Sequence, residues 1–132
     1  MYLLDTNICI YAINEKYSSV AEKLSLIPKK NIFISTVVVS ELIYGAEKSK
    51  WGVKARMKME EFLFPFNIIR FTREDAETCG KIRAYLAKKG KPIVFYDVMI
   101  AAQGISRDFT VITHNTEEFS RIQNIKIEDW TI

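Results

Sequence analysis

The sequence predicts an α/β fold: a three-layer α/β/α sandwich around a mostly parallel central sheet. Three observations carry this. Five short runs have strand character: Met1-Tyr2-Leu3-Leu4, Ile32-Phe33-Ile34, Ile68-Ile69-Arg70-Phe71, Thr110-Val111-Ile112-Thr113 and Ile125-Lys126-Ile127. Segments with helical signals separate them, and that alternation implies parallel strands joined by right-handed crossovers, with helices on both faces. Helix-starting residues stand directly after several runs: Asp5-Thr6, Ser35-Thr36 and Thr72. At 132 residues the chain fits one domain, spanning residues 1–132.

In order, Asp5-Thr6-Asn7 leads from the first strand into a short helix over Ile8 to Asn14. Ser19-Val20-Ala21-Glu22 has capping-box spacing and predicts a second helix, which Pro28 and the Lys29-Lys30-Asn31 turn bring to an end. After the second strand, Val38, Val39, Leu42, Ile43 and Ala46 form one side of a long helix, although Val37-Val38-Val39 favours strand. Gly52 separates it from a helix over Val53 to Phe64, closed by Pro65. Thr72-Arg73-Glu74-Asp75 caps the next helix, which runs to Gly90 with Lys88 and Lys89 at its negative end. Lys91 to Phe95 reads as a loop with extended tendency, and Asp97 opens a buried helix through Gln103. Asn115 to Phe119 is one helical turn before the last strand. Trp51, Phe62, Phe64 and Phe66 are expected in the core, with a dimer or partner surface as the alternative. Trp130 is expected to pack against the last strand.

The composition is 48 % apolar and 27 % charged, with no apolar run of membrane-spanning length, so the chain reads as cytoplasmic. Cys9 and Cys79 are far apart and there is one histidine, which excludes a Cys/His zinc site. The net charge of +3 does not by itself identify a nucleic-acid binder. A dinucleotide-binding domain is excluded because no Gly-x-Gly-x-x-Gly follows the first strand.

Residues just after strands, or in the first turns of the following helices, converge on one edge of such a sheet, where ligands bind. Four acids fall there: Asp5, Glu41, Asp97 and Glu118. Singly, each has an ordinary reading as a helix cap or a solvated helix residue. Together they are harder to dismiss, because Glu41 and Asp97 lie in apolar context where an unpaired carboxylate is costly. An all-oxygen cluster suits a hard cation, Mg²⁺ or Mn²⁺, of the kind that activates water against a phosphodiester. With these four set aside, 19 basic residues face 12 acids, a basic surround that would attract a polyanion. Lys48, Lys50, Lys54, Arg56 and Lys58 are its densest stretch, followed by Lys88, Lys89 and Lys91.

Four blocks in register, Leu4-Asp5-Thr6-Asn7, Ser40-Glu41-Leu42-x-Tyr44-Gly45, Asp97-x-x-Ile100-Ala101-Ala102 and Thr113-x-Asn115-Thr116-x-Glu118-Phe119, resemble the motifs of PIN-domain ribonucleases. The resemblance is closest to the VapC toxins of VapBC toxin–antitoxin modules. It implies a homodimeric endoribonuclease that uses Mg²⁺ or Mn²⁺ to cleave tRNA or rRNA. It also implies a cognate VapB-like antitoxin through which alone the toxin meets DNA. Asp5, Glu41, Asp97 and Glu118 fall on the family's acidic, metal-holding positions. Thr6 and Asn115 fall on its polar supporting positions, Ser40 could share that role, and Arg83 matches a basic position that would pair an acid or meet the antitoxin. Two departures stand out: Val94-Phe95-Tyr96 is bulky before Asp97, and Asn115 stands where relatives often carry Asp. The alternative is an inactive PIN-like module that binds RNA or protein.

Overall fold

Strands of three or four residues make few ladder bonds, so such a sheet is held by what packs on it. The computed structural model describes residues 1–132 and contains five strands: β1 (Tyr2–Leu4), β2 (Ile32–Ser35), β3 (Asn67–Ile69), β4 (Thr110–Ile112) and β5 (Lys126–Glu128). All pair in parallel, in the order β3-β2-β1-β4-β5. Successive strand residues point to opposite faces, yet Leu3 and Leu4 of β1 and Val111 and Ile112 of β4 are all fully buried. Both faces of the central strands are therefore covered, as the predicted sandwich requires. The edge strands are less covered, and Ile68 of β3 is exposed.

The helices are α1 (Thr6–Ile13), α2 (Ser18–Leu26), α3 (Thr36–Lys48), α4 (Gly52–Leu63), α5 (Arg73–Lys88), α6 (Phe95–Arg107) and α7 (Thr116–Phe119). Val37-Val38-Val39 is helical despite its β preference. The Ser35 hydroxyl caps α3 by accepting from the Val37 amide at 3.0 Å, and Val37, Val38, Leu42 and Ala46 are buried along one side. The Ser19 capping box does not form: the cap falls two residues earlier, at Tyr17, which makes no side-chain cap bond. Tyr17 instead packs edge-on against Tyr11, with ring centres 4.9 Å apart.

α6 is buried on most of its circumference, including Ile100, Ala101, Ala102 and Gly104. At Gly104 a Cβ would stand 2.5 Å from Cγ2 of Val111, so the glycine lets α6 lie close on β4. α5 and α6 form an antiparallel hairpin, clamped where one begins and the other ends. The Thr72–Asp75 capping box forms there as predicted. Asp75, fully buried, also accepts from Arg107 in two places (2.6 and 3.1 Å) and from the Ser106 hydroxyl at 2.5 Å. Burial alone would raise the Asp75 pKa; these donors outweigh it and hold the carboxyl below its usual range.

Two aromatic expectations fail. Phe62 and Phe66 stack with ring centres 5.1 Å apart, but Trp51 and Phe64 are 63 % and 90 % exposed because they flank α4 outside its buried side. Trp130 is buried as expected, with its indole N–H on Glu128 of β5 and its ring 5.5 Å from Tyr2 of β1. No helix is long and apolar enough to cross a membrane.

Removing one partner of a buried ion pair strands the other, so Arg107→Ala should lower unfolding free energy by about 3 kcal/mol in urea titrations. A loss below about 1 kcal/mol would show that the clamp contributes little beyond an exposed pair.

Candidate active site

A parallel sheet sends every strand out of the same edge, and there the chain sets its acids. Asp5 follows β1 and caps α1, its Oδ1 accepting from the Thr6 amide at 2.8 Å. Glu41 lies in the second turn of α3, and Asp97 in the first turn of α6, where the positive end of the helix dipole favours it. Glu118 belongs to α7, which follows β4 after a short turn, and Asn115 is the residue directly before that helix. Asp5, Glu41, Asp97 and Asn115, with Thr6 and Ser40, line one open pocket of about 560 Å³. Glu118 does not line it but is tied to it through Asn115.

Neutral donors arrange these carboxylates. The Thr6 hydroxyl donates to Glu41 Oε2, and the Thr113 hydroxyl donates to Asp5 Oδ2 at 2.8 Å. The Asn115 amide nitrogen stands between two acids, donating to Glu118 Oε2 at 2.9 Å and to Asp97 Oδ2 at 3.3 Å. The second oxygens of Glu41, Asp97 and Glu118 (Oε1, Oδ1 and Oε1) receive no protein donor. None of the four acids pairs with a Lys or Arg, whereas seven ion pairs form elsewhere.

The charges are felt. Burial pushes the Asp97 carboxyl up to about 6; the charges of Asp5, Glu118 and Glu41 add to this, and the Asn115 bond opposes it. Burial also raises Asp5, against the hydrogen bonds from Thr113 and Thr6 and with the Glu41 charge. The thiol of Cys9, fully buried near Asp5, is raised by burial and by that charge, which keeps it protonated and inert. The donor set is all oxygen, with free lone pairs facing a negative pocket, and that chemistry fits a hard divalent cation. The side chains do not close into a preformed cage of three ligands.

Of the supporting residues, Thr6 and Asn115 bond the acids, and Ser40 lies at the pocket rim without a bond to them. Arg83 pairs with no acid; its guanidinium lies 4.6 Å from the ring centre of Phe95, outside the pocket. Asn115 does not act as a helix cap through its side chain. α6 begins at Phe95, two residues before Asp97, so the bulky segment forms the first turn that carries the acid. Arg56 is occupied by Glu47 and Glu60, which removes it from the free basic stretch. Sequence reasoning missed the role of Thr113. It meets Asp5 because β1 and β4 pair with Leu4 opposite Ile112, and the next residue on each strand falls side by side.

Sheet order, pocket and motif positions define a PIN-like fold, and the PIN domain family matches residues 2–125. The chain belongs to that family. Within it, the similarity is to VapC proteins. The tRNA(fMet)-specific endonuclease VapC of Shigella flexneri is 40 % identical over 130 residues, covering 98 % of each chain. Among solved structures, the DNA-bound VapBC complex of Salmonella typhimurium matches with a TM-score of 0.93 at 40 % identity, over 98 % of this chain and 97 % of that one. VapBC2 of Rickettsia felis, bound to a promoter DNA fragment, matches with a TM-score of 0.92 at 39 % identity, over 98 % of both chains.

Asp97 has a folded pKa of about 6 against an ordinary 3.8, so between these values the native protein keeps a proton that the unfolded chain has released. Its contribution to stability is fully present below about pH 4 and is lost as pH rises through about 6. Without divalent ions, Asp97→Asn should therefore raise Tm near neutral pH and change it little near pH 4. An equal change at both values would contradict the origin given for the shift.

Proposed function

We propose that the chain is the toxin of a toxin–antitoxin pair, an endoribonuclease that requires Mg²⁺ or Mn²⁺ and is neutralised by a VapB-like antitoxin. One observation carries this reading: three carboxylates line a single pocket, a fourth (Glu118) is joined to it through Asn115, and no protein cation answers them. The relatives support the reaction class, since they are named as ribonucleases and as a tRNA(fMet)-specific endonuclease. tRNA is therefore the first substrate to test, with rRNA as the other candidate. The partner follows from similar chains that crystallise as VapBC complexes on DNA. This toxin would reach DNA only through its antitoxin.

In this reading Asp5, Glu41 and Asp97 hold the cation, directly or through water, and Glu118 orients a water across Asn115. When bound, the cation supplies positive charge at the phosphate and lowers the pKa of a water. Water oxygen would then add to phosphorus as it loses a proton to solvent, one ribose–phosphate ester bond would break, and the departing ribose oxygen would take up a proton from solvent. Thr113 and Thr6 keep Asp5 and Glu41 aimed, and the Asn115 amide holds Asp97 and Glu118 in place without adding charge. Ser40, at the rim, is placed to meet a phosphate oxygen. Lys48, Lys50, Lys54 and Lys58 would steer the polyanion. Arg83, with no acid partner, is left for antitoxin contact. We take the protein to be a homodimer, one domain per chain, in the cytoplasm, where its two buried thiols stay reduced.

Asp5→Asn, Glu41→Gln and Asp97→Asn should each cut RNA cleavage at least about a hundredfold with unchanged circular dichroism. Thr113→Val, which removes only an aiming bond, should cost about 10- to 100-fold. EDTA should stop the wild type, and Mg²⁺ or Mn²⁺ should restore it. Near-wild-type turnover by Asp97→Asn would overturn the site. Metal-independent RNA binding without cleavage by the wild type would favour an inactive binding module.

A further inference from the structure

The mechanism leaves four side chains of the pocket unused, Asn7, Ile10, Tyr44 and Tyr96, and two of them are aromatic. The chain has six tyrosines, of which Tyr2, Tyr11, Tyr17 and Tyr85 are half-buried against the core. Tyr44 and Tyr96 are the other two. They are 65 % and 49 % exposed, neither packs on the core, and both line the carboxylate pocket. They come from different elements, each beside an acid. Tyr44 lies one helical turn beyond Glu41 on α3, and Tyr96 immediately precedes Asp97 on α6. Lys48 Nζ lies over one face of the Tyr44 ring, 5.0 Å from its centre, which places a positive charge against the ring. Phe95 is similarly exposed, but it does not line the pocket and carries Arg83 on its ring.

A negative pocket can hold a phosphate only through its cation, so the rest of a nucleotide needs a different grip. The pocket of about 560 Å³ is larger than a phosphate and its ion require. Flat rings in solvent, next to lysine, are what single-stranded RNA binds: every base has a face to stack, and the lysine meets the backbone. In an A-form duplex the bases are stacked on one another and closed to such rings.

We propose that Tyr44 and Tyr96 are stacking platforms for two unpaired bases flanking the scissile phosphate. This rests on the nuclease reading of the pocket and assigns a role to two residues that reading leaves without one.

The test uses full-length Asp97→Asn protein with Mg²⁺, as a binder that does not cut. The probe is a short single-stranded RNA carrying a fluorescent adenine analogue at each position in turn. Two positions should be quenched on binding. Tyr44→Ala and Tyr96→Ala should each abolish one quench and weaken binding about tenfold, and Tyr→Phe at either position should restore both readouts. The same sequence annealed into duplex should bind more weakly and show no quench. Alanine variants that keep affinity and quench would overturn the proposal. So would phenylalanine variants as defective as alanine, or alanine variants that lose antitoxin binding but not RNA binding. Failure of the nuclease reading has a separate signature: wild type that leaves RNA intact with Mn²⁺ while tyrosine-dependent quenching persists.

Discussion

Negative charge without a protein counter-charge is the constraint around which this molecule is arranged. Its two buried aspartates show the difference. Asp75 is fully buried and receives a guanidinium with two bonds, a hydroxyl and its own helix cap, which together hold its pKa low. Asp5 is nearly as buried, yet receives only a hydroxyl and an amide, and burial raises its pKa with the Glu41 charge adding to the rise. The first arrangement is how a fold neutralises an acid for good. The second leaves the charge to be neutralised by something that comes and goes, and a divalent cation meets that need with the oxygen ligands present.

The fold produces this arrangement by simple means. A fully parallel sheet brings the ends of β1, β2 and β4 to one edge, and covered faces force its central strands to be apolar on both sides. Polar chemistry is thereby confined to the residues where strands end and helices begin. The rest of the chain keeps that edge in register. Ser35 caps α3 so that Glu41 faces the pocket, Gly104 seats α6 on β4, and the Asp75–Arg107 clamp fixes the far end of the hairpin that carries Asp97.

Much of this was legible in the residues because strand–helix alternation constrains position strongly. Five strands, the α/β class and the convergence of Asp5, Glu41 and Asp97 follow from knowing only where strands stop. What escaped depends on registers or contacts that no local pattern encodes. Thr113 is 108 residues from the aspartate it bonds, and only the pairing of β1 with β4 brings them together. The Ser19 box has the right spacing but does not form, and α2 begins instead after Tyr17, whose ring packs on Tyr11. Phe64 and Trp51 look like core by composition, but they flank α4 beyond its buried side. Asn115 stands directly before a helical turn, yet its side chain caps nothing there and joins two acids across the site.

The most direct test is anomalous scattering from crystals of the protein grown with Mn²⁺, because it locates the ion without reference to activity. The account predicts a peak within ligating reach of Asp5, Glu41 and Asp97, with those side chains drawn in toward it from their present open arrangement. A Mn²⁺ peak elsewhere on the surface, or none while the three carboxylates remain as they are, would contradict it.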